Sequence, residues 1–282
     1  KVIVWHDDTI QPEKCQDTGP VTPGDPDYPY VGDRFRELTY AQIQTLDCGY
    51  QQLPGYPVQD NIEGNRIATL EEVFAVAVQH GAQDEIRWNI ETKVEDPANA
   101  PEREALVDGV MATIQEHGWP ERTTLQSFDW AALDQVREID PDMTLVALAE
   151  SENPLGAGID PQDAADRGYD VWSPRHTLLT EQNITEAHEL GLTVTPWTVN
   201  NRADMERLID WGVDGLITDY PSTLRDVMAD SGWALPKAYP LVEQPQFGRG
   251  AETRAEREHT GAARSVEDVR ERSETARERY TR

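Results

Sequence analysis

Gly191-Leu192-Thr193-Val194-Thr195-Pro196-Trp197-Thr198-Val199 and Gly212-Val213-Asp214-Gly215-Leu216-Ile217-Thr218-Asp219 each follow a helix-patterned stretch, at 180–190 and 202–211, that a glycine closes. A helix stopped by glycine and followed at once by β-branched and aliphatic residues is the local pattern of a β/α repeat. The same pattern recurs upstream. A weak helix at 161–167 ends at Gly168 before Asp170-Val171-Trp172-Ser173, and one at 130–139 stops at Pro141 before Thr144-Leu145-Val146-Ala147-Leu148. A helix near 102–117 ends at Gly118 before Thr123–Phe128. Another opens at Thr69, with Glu72 three residues on as a capping-box partner, and runs to Gly81 before Ile86-Arg87-Trp88-Asn89-Ile90-Glu91-Thr92-Lys93.

Six strands thus alternate with helices from Ile86 onward, which predicts an α/β fold with a parallel sheet. A TIM (β/α)8 barrel needs eight strands. The missing pair is expected before or around Lys1, so the barrel is read as incomplete at the N-terminus of this chain. A doubly wound open sheet is disfavoured because no Gly-rich phosphate loop follows any strand.

The 282 residues hold 25 Lys plus Arg against 53 Asp plus Glu, a formal net charge of −28, with a mean hydropathy of −0.67. Nucleic acid and anionic membrane are recognised through basic surface, so neither is an expected partner. No apolar run approaches the roughly 20 residues of a membrane span, and stable membrane insertion is not expected. Nine Arg and nine Asp or Glu fall in 241–282, a neutral tail read as a solvated helix or disordered, so the whole excess belongs to residues 1–240. Only four lysines accompany 21 arginines, a balance suited to high salt.

Lys1 is not Met and opens directly into the apolar run Val2-Ile3-Val4-Trp5, which reads as a start inside a domain. Residues 11–66, rich in Pro, Gly, Asp and Tyr, form a long insertion that holds both cysteines. A Cys15 to Cys48 disulfide would staple it and implies an exported, extracellular or periplasmic protein; two reduced thiols are the alternative.

Barrel chemistry sits at the C-terminal ends of the strands. Glu91 ends a strand and Lys93 lies two residues on; a carboxylate there suits a hard divalent cation and an ammonium suits a phosphate, or the two form an ion pair. His6 follows the apolar run and precedes Asp7-Asp8, a placement for a general acid or base. Gln126 could donate to a phosphate or hydroxyl, and Trp197 could form an apolar wall. His176, after Trp172-Ser173-Pro174, is a weaker candidate for the mouth.

In order along residues 1 to about 228, Val2-Ile3-Val4-Trp5-His6-Asp7, Thr69-Leu70-Glu71-Glu72-Val73, Asn89-Ile90-Glu91-Thr92-Lys93, Gln126-Ser127-Phe128-Asp129, Trp197-Thr198-Val199-Asn200 and Gly212 to Pro221 resemble the successive motifs of glycerophosphodiester phosphodiesterases. The segment from Pro12 to Gly49 resembles the long insertion of one branch of that family. The resemblance implies a TIM barrel that hydrolyses glycerophosphodiesters to glycerol 3-phosphate and an alcohol, with Ca²⁺ or Mg²⁺ and two histidines. It implies that His6 is the second catalytic histidine, Glu91 a metal ligand, Lys93 a phosphate contact, and Gln126 and Trp197 pocket-lining residues. The family's opening motif, with its first histidine and a Glu-x-Asp metal pair, is expected before Lys1. A catalytically inactive fragment, and a phospholipase D-like activity on lysolipids, are the alternatives.

Overall fold

A computed structural model describes residues 1–150 and 159–239, so the tail read at 241–282 lies outside the described residues. The described chain divides into two compact units, one of Lys1 and Ile3–Val73, the other of Val2 and residues 74–239.

The first unit is mostly loop, because its Pro, Gly and Asp content disfavours long ladders. Strand β1 (Gln16–Asp17) pairs antiparallel with β2 (Leu46–Asp47), and between them a four-residue helix α1 (Tyr40–Ile43) starts at a Thr39–Gln42 capping box. Three other features hold the loop. Ile10, Tyr30, Phe35, Ile43, Leu46 and Ile67 pack into a small core. Cys15 and Cys48 are joined in a disulfide, as the sequence suggested. Carboxylates serve as acceptors for loop amides: Asp17 takes Tyr30 N at 2.9 Å and Val31 N at 3.3 Å, and Asp47 takes Gly49 N at 3.0 Å and Gly64 N at 2.9 Å. These bonds satisfy backbone donors that no strand serves. Val4 N donates to Ala68 O at 2.8 Å and Ile3 bridges Thr69, which ties the two ends of the unit together.

Helix α2 (Leu70–Gln79) carries the chain onward, and its capping box forms as read: Thr69 N donates to Glu72 Oε2 at 2.7 Å and Glu72 N to Thr69 Oγ1 at 3.2 Å. The second unit then runs β3 (Trp88–Glu91), α3 (Ala100–Glu116), β4 (Thr123–Ser127), α4 (Trp130–Ile139), β5 (Thr144–Ala149), α5 (Pro161–Asp166), β6 (Val171–Pro174), α6 (Glu181–Glu189), β7 (Thr193–Val194), α7 (Arg202–Asp210) and α8 (Pro221–Asp230). The five strands form one parallel sheet in chain order, β3-β4-β5-β6-β7. A doubly wound sheet reverses direction at a switch point, whereas a β/α barrel adds every strand beside the last. The order is that of the barrel, incomplete among the described residues.

Register fixes which side chains share a face. Glu91, Gln126, Val146, Val171 and Thr193 stand in one row, while Ser127, Ala147, Trp172 and Val194 point to the opposite, helix-covered side and are fully buried. Asn99, Asp129, Asp160, Thr180 and Asn201 cap the helices that follow the strands, each side chain accepting a backbone N–H from the first turn. Gly191 and Gly212, at φ +83° and +87°, take the left-handed position that ends α6 and α7.

Two expectations shorten. The strand expected over 192–199 is reduced to Thr193–Val194, and 213–219 forms no ladder strand. Pro196 has no N–H to donate, so regular pairing stops there. The sixth segment nonetheless lies alongside β7 and its continuation: Asp214 N donates to Val194 O at 2.9 Å, Ile217 N to Pro196 O at 3.0 Å and Val199 N to Ile217 O at 2.8 Å. Helix α8 was not foreseen; Pro221 at its first turn was the available signal.

Candidate active site

The second unit gathers Glu91, Lys93, Phe128 and Trp197 at the C-terminal ends of its strands. Lys93 Nζ lies 2.8 Å from Glu91 Oε1 in a part-buried ion pair. That oxygen is buried and makes no hydrogen bond among the described residues, so the contact is Coulombic and poorly aligned. The same ammonium stands 5.8 Å from the centre of the Phe128 ring, and Phe128 meets Trp197 edge-on at 5.2 Å. Trp197 is fixed by its indole N–H, which donates to Ser173 O at 2.9 Å. The result is a cation set against an aromatic wall, an arrangement that keeps an ammonium partly desolvated and strong toward an anion. Gln126 is buried just inside, where its carbonyl accepts from Asn89 Nδ2 at 2.7 Å.

Beneath this layer, Ser127 Oγ donates to Thr92 O at 3.1 Å and accepts from Asp129 N at 3.1 Å. Asp129 is held by Arg103 Nε at 2.5 Å in a buried pair and also caps α4. The roles of Phe128 and Arg103 were not read from the sequence. Phe128 stood inside a quoted motif, but an aromatic next to Ser127 signals a site only once Lys93 is known to lie over it.

His6 belongs to the first unit, at the rim of a cleft of about 260 Å³ that Trp5, Lys14, Gln51 and Asn61 also line. Its ring is largely exposed, and Nδ1 lies 3.2 Å from Asp7 Oδ1. The second oxygen of Asp7 receives Lys14, whose ammonium is also 5.9 Å from the Trp5 ring centre. Partial burial pushes the Asp7 carboxyl up, but the hydrogen bonds from Lys14 and His6 outweigh it and hold the group below the usual carboxylate range. His6 is thus oriented by a carboxylate that stays ionised, the arrangement a histidine acid or base requires. The sequence places Lys14 in the insertion from Pro12 to Gly49 and gives it no role. In the cleft wall, Gly49 approaches the opposite strand of loop so closely that a Cβ would stand 1.8 Å from Ile62 O.

The remaining described histidines contribute less. Burial lowers the His176 pKa, opposed by Asp204 and assisted by Arg207 and Arg175, and its Nδ1 makes no hydrogen bond among the described residues. His188 pairs with Asp214 at 2.9 Å, and His117 stacks in the Phe74–Trp119 cluster.

A hard divalent cation takes six or more oxygen donors, several of them carboxylates. Among the described residues no group of three or more His, Cys, Asp or Glu side chains is placed to hold a metal ion. Glu91 is a single carboxylate already paired with Lys93, so these donors do not fit a cation site by themselves.

The described strands are ordered as in a β/α barrel, with a part-buried, ion-paired ammonium at their C-terminal ends. Residues 1–223 match the model of the glycerophosphoryl diester phosphodiesterase family. The chain belongs to that family. It is 31% identical over 197 residues to a glycerophosphodiester phosphodiesterase of Bacillus subtilis, covering 68% of this chain and 65% of the relative, so it spans about two thirds of that protein's length. A glycerophosphodiester phosphodiesterase of Caldanaerobacter subterraneus is 28% identical over 234 residues, 82% of each chain. A solved protein of Silicibacter pomeroyi, which carries that activity as a provisional name, superposes with a TM-score of 0.70 at 29% identity, covering 83% of this chain and 80% of its own.

Proposed function

We propose that the chain is a phosphodiesterase that hydrolyses glycerophosphodiesters to glycerol 3-phosphate and an alcohol. The observation that carries this reading is the Lys93–Glu91 pair at the first ladder strand's end, inside a chain whose residues 1–223 match the family. Lys93 binds a non-bridging phosphate oxygen and offsets the charge that grows there as phosphorus is attacked. Gln126 keeps its carboxamide N–H₂ as a second donor, since only its carbonyl is engaged among the described residues. Trp197 and Phe128 wall the mouth and cover one side of the ammonium. The attacking water's oxygen bonds phosphorus, the phosphorus to alcohol oxygen bond breaks, and the departing oxygen takes a proton, the role that the resemblance to the family gives to His6, while the water's proton passes to solvent.

No described helix is long and apolar enough to cross a membrane. The cystine supports an extracellular or periplasmic location, where disulfides persist.

Glycerol 3-phosphate release from glycerophosphocholine, measured with Ca²⁺, with Mg²⁺ and with EDTA, tests the reading. Lys93→Met should lower kcat/KM by about 100-fold and Lys93→Arg should retain part of it. No release under any of the three conditions sinks the assignment and leaves a non-catalytic relative.

A further inference from the structure

Trp197 belongs to the aromatic wall at the Lys93 ammonium, yet it stands beyond β7 and no ladder strand carries it. Two sets of bonds hold its segment. On the β6 side, Trp197 N donates to Pro174 O at 3.2 Å and His176 N to Trp197 O at 2.8 Å. On the other side, the pairing with 213–219 runs from Ile217 N on Pro196 O to Val199 N on Ile217 O, and there the described backbone bonds between the two segments end.

The Asn200 carboxamide continues them by one rung. Its Oδ1 accepts Asp219 N at 2.9 Å and Thr218 Oγ1 at 3.2 Å, and its Nδ2 donates to Asp219 Oδ2 at 2.8 Å. A carboxamide carries a donor and an acceptor as a peptide group does, so one side chain both extends the pairing and fastens the next loop. Thr218 Oγ1 passes the contact on by accepting Tyr220 N at 3.0 Å, at the start of α8. Asn200 and Asp219 belong to the Trp197–Asn200 and Gly212–Pro221 motifs, and the proposed reaction engages neither of them.

Resting on the phosphodiesterase reading above, we propose that Asn200 is a positioning residue for substrate binding: with Asp219 it clamps the segment that carries Trp197 and so holds the aromatic wall in place at the Lys93 ammonium. With the clamp open, the indole moves off Phe128 and the mouth no longer presents one fixed shape to the phosphodiester. Lys93 keeps its place, so the loss falls on binding rather than on the chemical step.

Asn200→Asp separates this role from general stability. The carboxylate it introduces keeps both acceptor contacts, loses the donor, and faces the Asp219 carboxylate across the former 2.8 Å contact. Its charge also sits just before the N-terminus of α7, where an anion is favourable, so Tm should stay close to wild type. Asp219→Asn alone still offers an acceptor to the Asn200 N–H₂, and the double variant Asn200→Asp with Asp219→Asn restores the bond with donor and acceptor exchanged. Glycerol 3-phosphate release from glycerophosphocholine by the full chain, with Ca²⁺ or Mg²⁺, should show KM raised about 10-fold by Asn200→Asp with kcat within about 2-fold, and both Asp219→Asn and the double variant within about 3-fold of wild type. Trp197 emission, taken as the difference between each protein and its Trp197→Phe counterpart, should shift to the red and quench more readily with acrylamide in Asn200→Asp alone. The proposal needs both signals, and either one missing overturns it. A double variant no better than Asn200→Asp overturns it too, as does a lowered Tm with KM unchanged, which makes the contact merely structural. Release from no protein, wild type included, overturns the phosphodiesterase reading instead; the clamp on Trp197 is then decided by the emission, which must shift in Asn200→Asp and return in the double variant.

Discussion

Removing the Cys15–Cys48 crosslink should cost the first unit on the order of 4 kcal/mol. The two residues are 33 positions apart, and for a closed loop of that length the chain-entropy relation gives about 3.7 kcal/mol at 25 °C. Cys15 is 1% exposed, so Cys15→Ala with Cys48→Ala is preferable to serine, which would add a buried hydroxyl in search of a partner. Urea unfolding of wild type and double variant should show the midpoint falling by about 1 to 2 M, taking a slope of about 2 to 3 kcal/mol/M. Because Cys48 also lines the cleft beside His6, the variant should lose activity at urea concentrations that wild type tolerates. A loss below about 1 kcal/mol would falsify the account, because the core around Ile10 and the Asp17 and Asp47 hydrogen bonds would then hold the loop unaided.

Gly49→Ala places a methyl group on Ile62 O and should destabilise by about 1–3 kcal/mol while deforming the cleft; thermal melting reports the loss, and a wild-type melt would show that the loop simply gives way. Asp129→Ala leaves the part-buried Arg103 charge without its carboxylate, though still bonded to Pro97 O, and strips a cap from α4, for an expected loss of about 3 kcal/mol by chemical denaturation. An unchanged midpoint would place no weight on that pair. With a net charge of −28, raising KCl from 0.1 M to 1 M shortens the screening length from about 10 Å to about 3 Å, and Tm should rise. A Tm that falls or holds would show self-repulsion to be a minor force in this chain.

The barrel class was legible because its signal is periodic. Glycine stops after most helices and Pro141 after one, together with aliphatic runs, placed β3, β4, β5 and β6 close to their observed bounds. Failure came where the backbone, not the pattern, decides. Val213–Asp219 reads like a strand but lies beside Pro196, whose missing N–H breaks the ladder. The disulfide was legible from the need to tie a long loop. The site was legible in part: Glu91 and Lys93 meet as their spacing allowed, and Trp197 stands at the mouth. The Phe128 wall and the Lys14–Asp7–His6 arrangement were not, because contacts across a loop carry no sequence period.

The order of the strands has a consequence for how the chain folds. Within the second unit, ladder pairings join residues from 20 positions apart, Thr124 with Thr144, to 35 apart, Trp88 with Thr123. Each new strand closes a short circuit on a surface already present, so this unit can grow one repeat at a time. The first unit must bring Ile3 to Thr69 across 66 residues before its ends meet. The extra closure cost is under about 1 kcal/mol, but little cooperative ladder offsets it along the way. Refolding should therefore be sequential, with the repeats protected from hydrogen exchange first and the cleft beside His6 formed last.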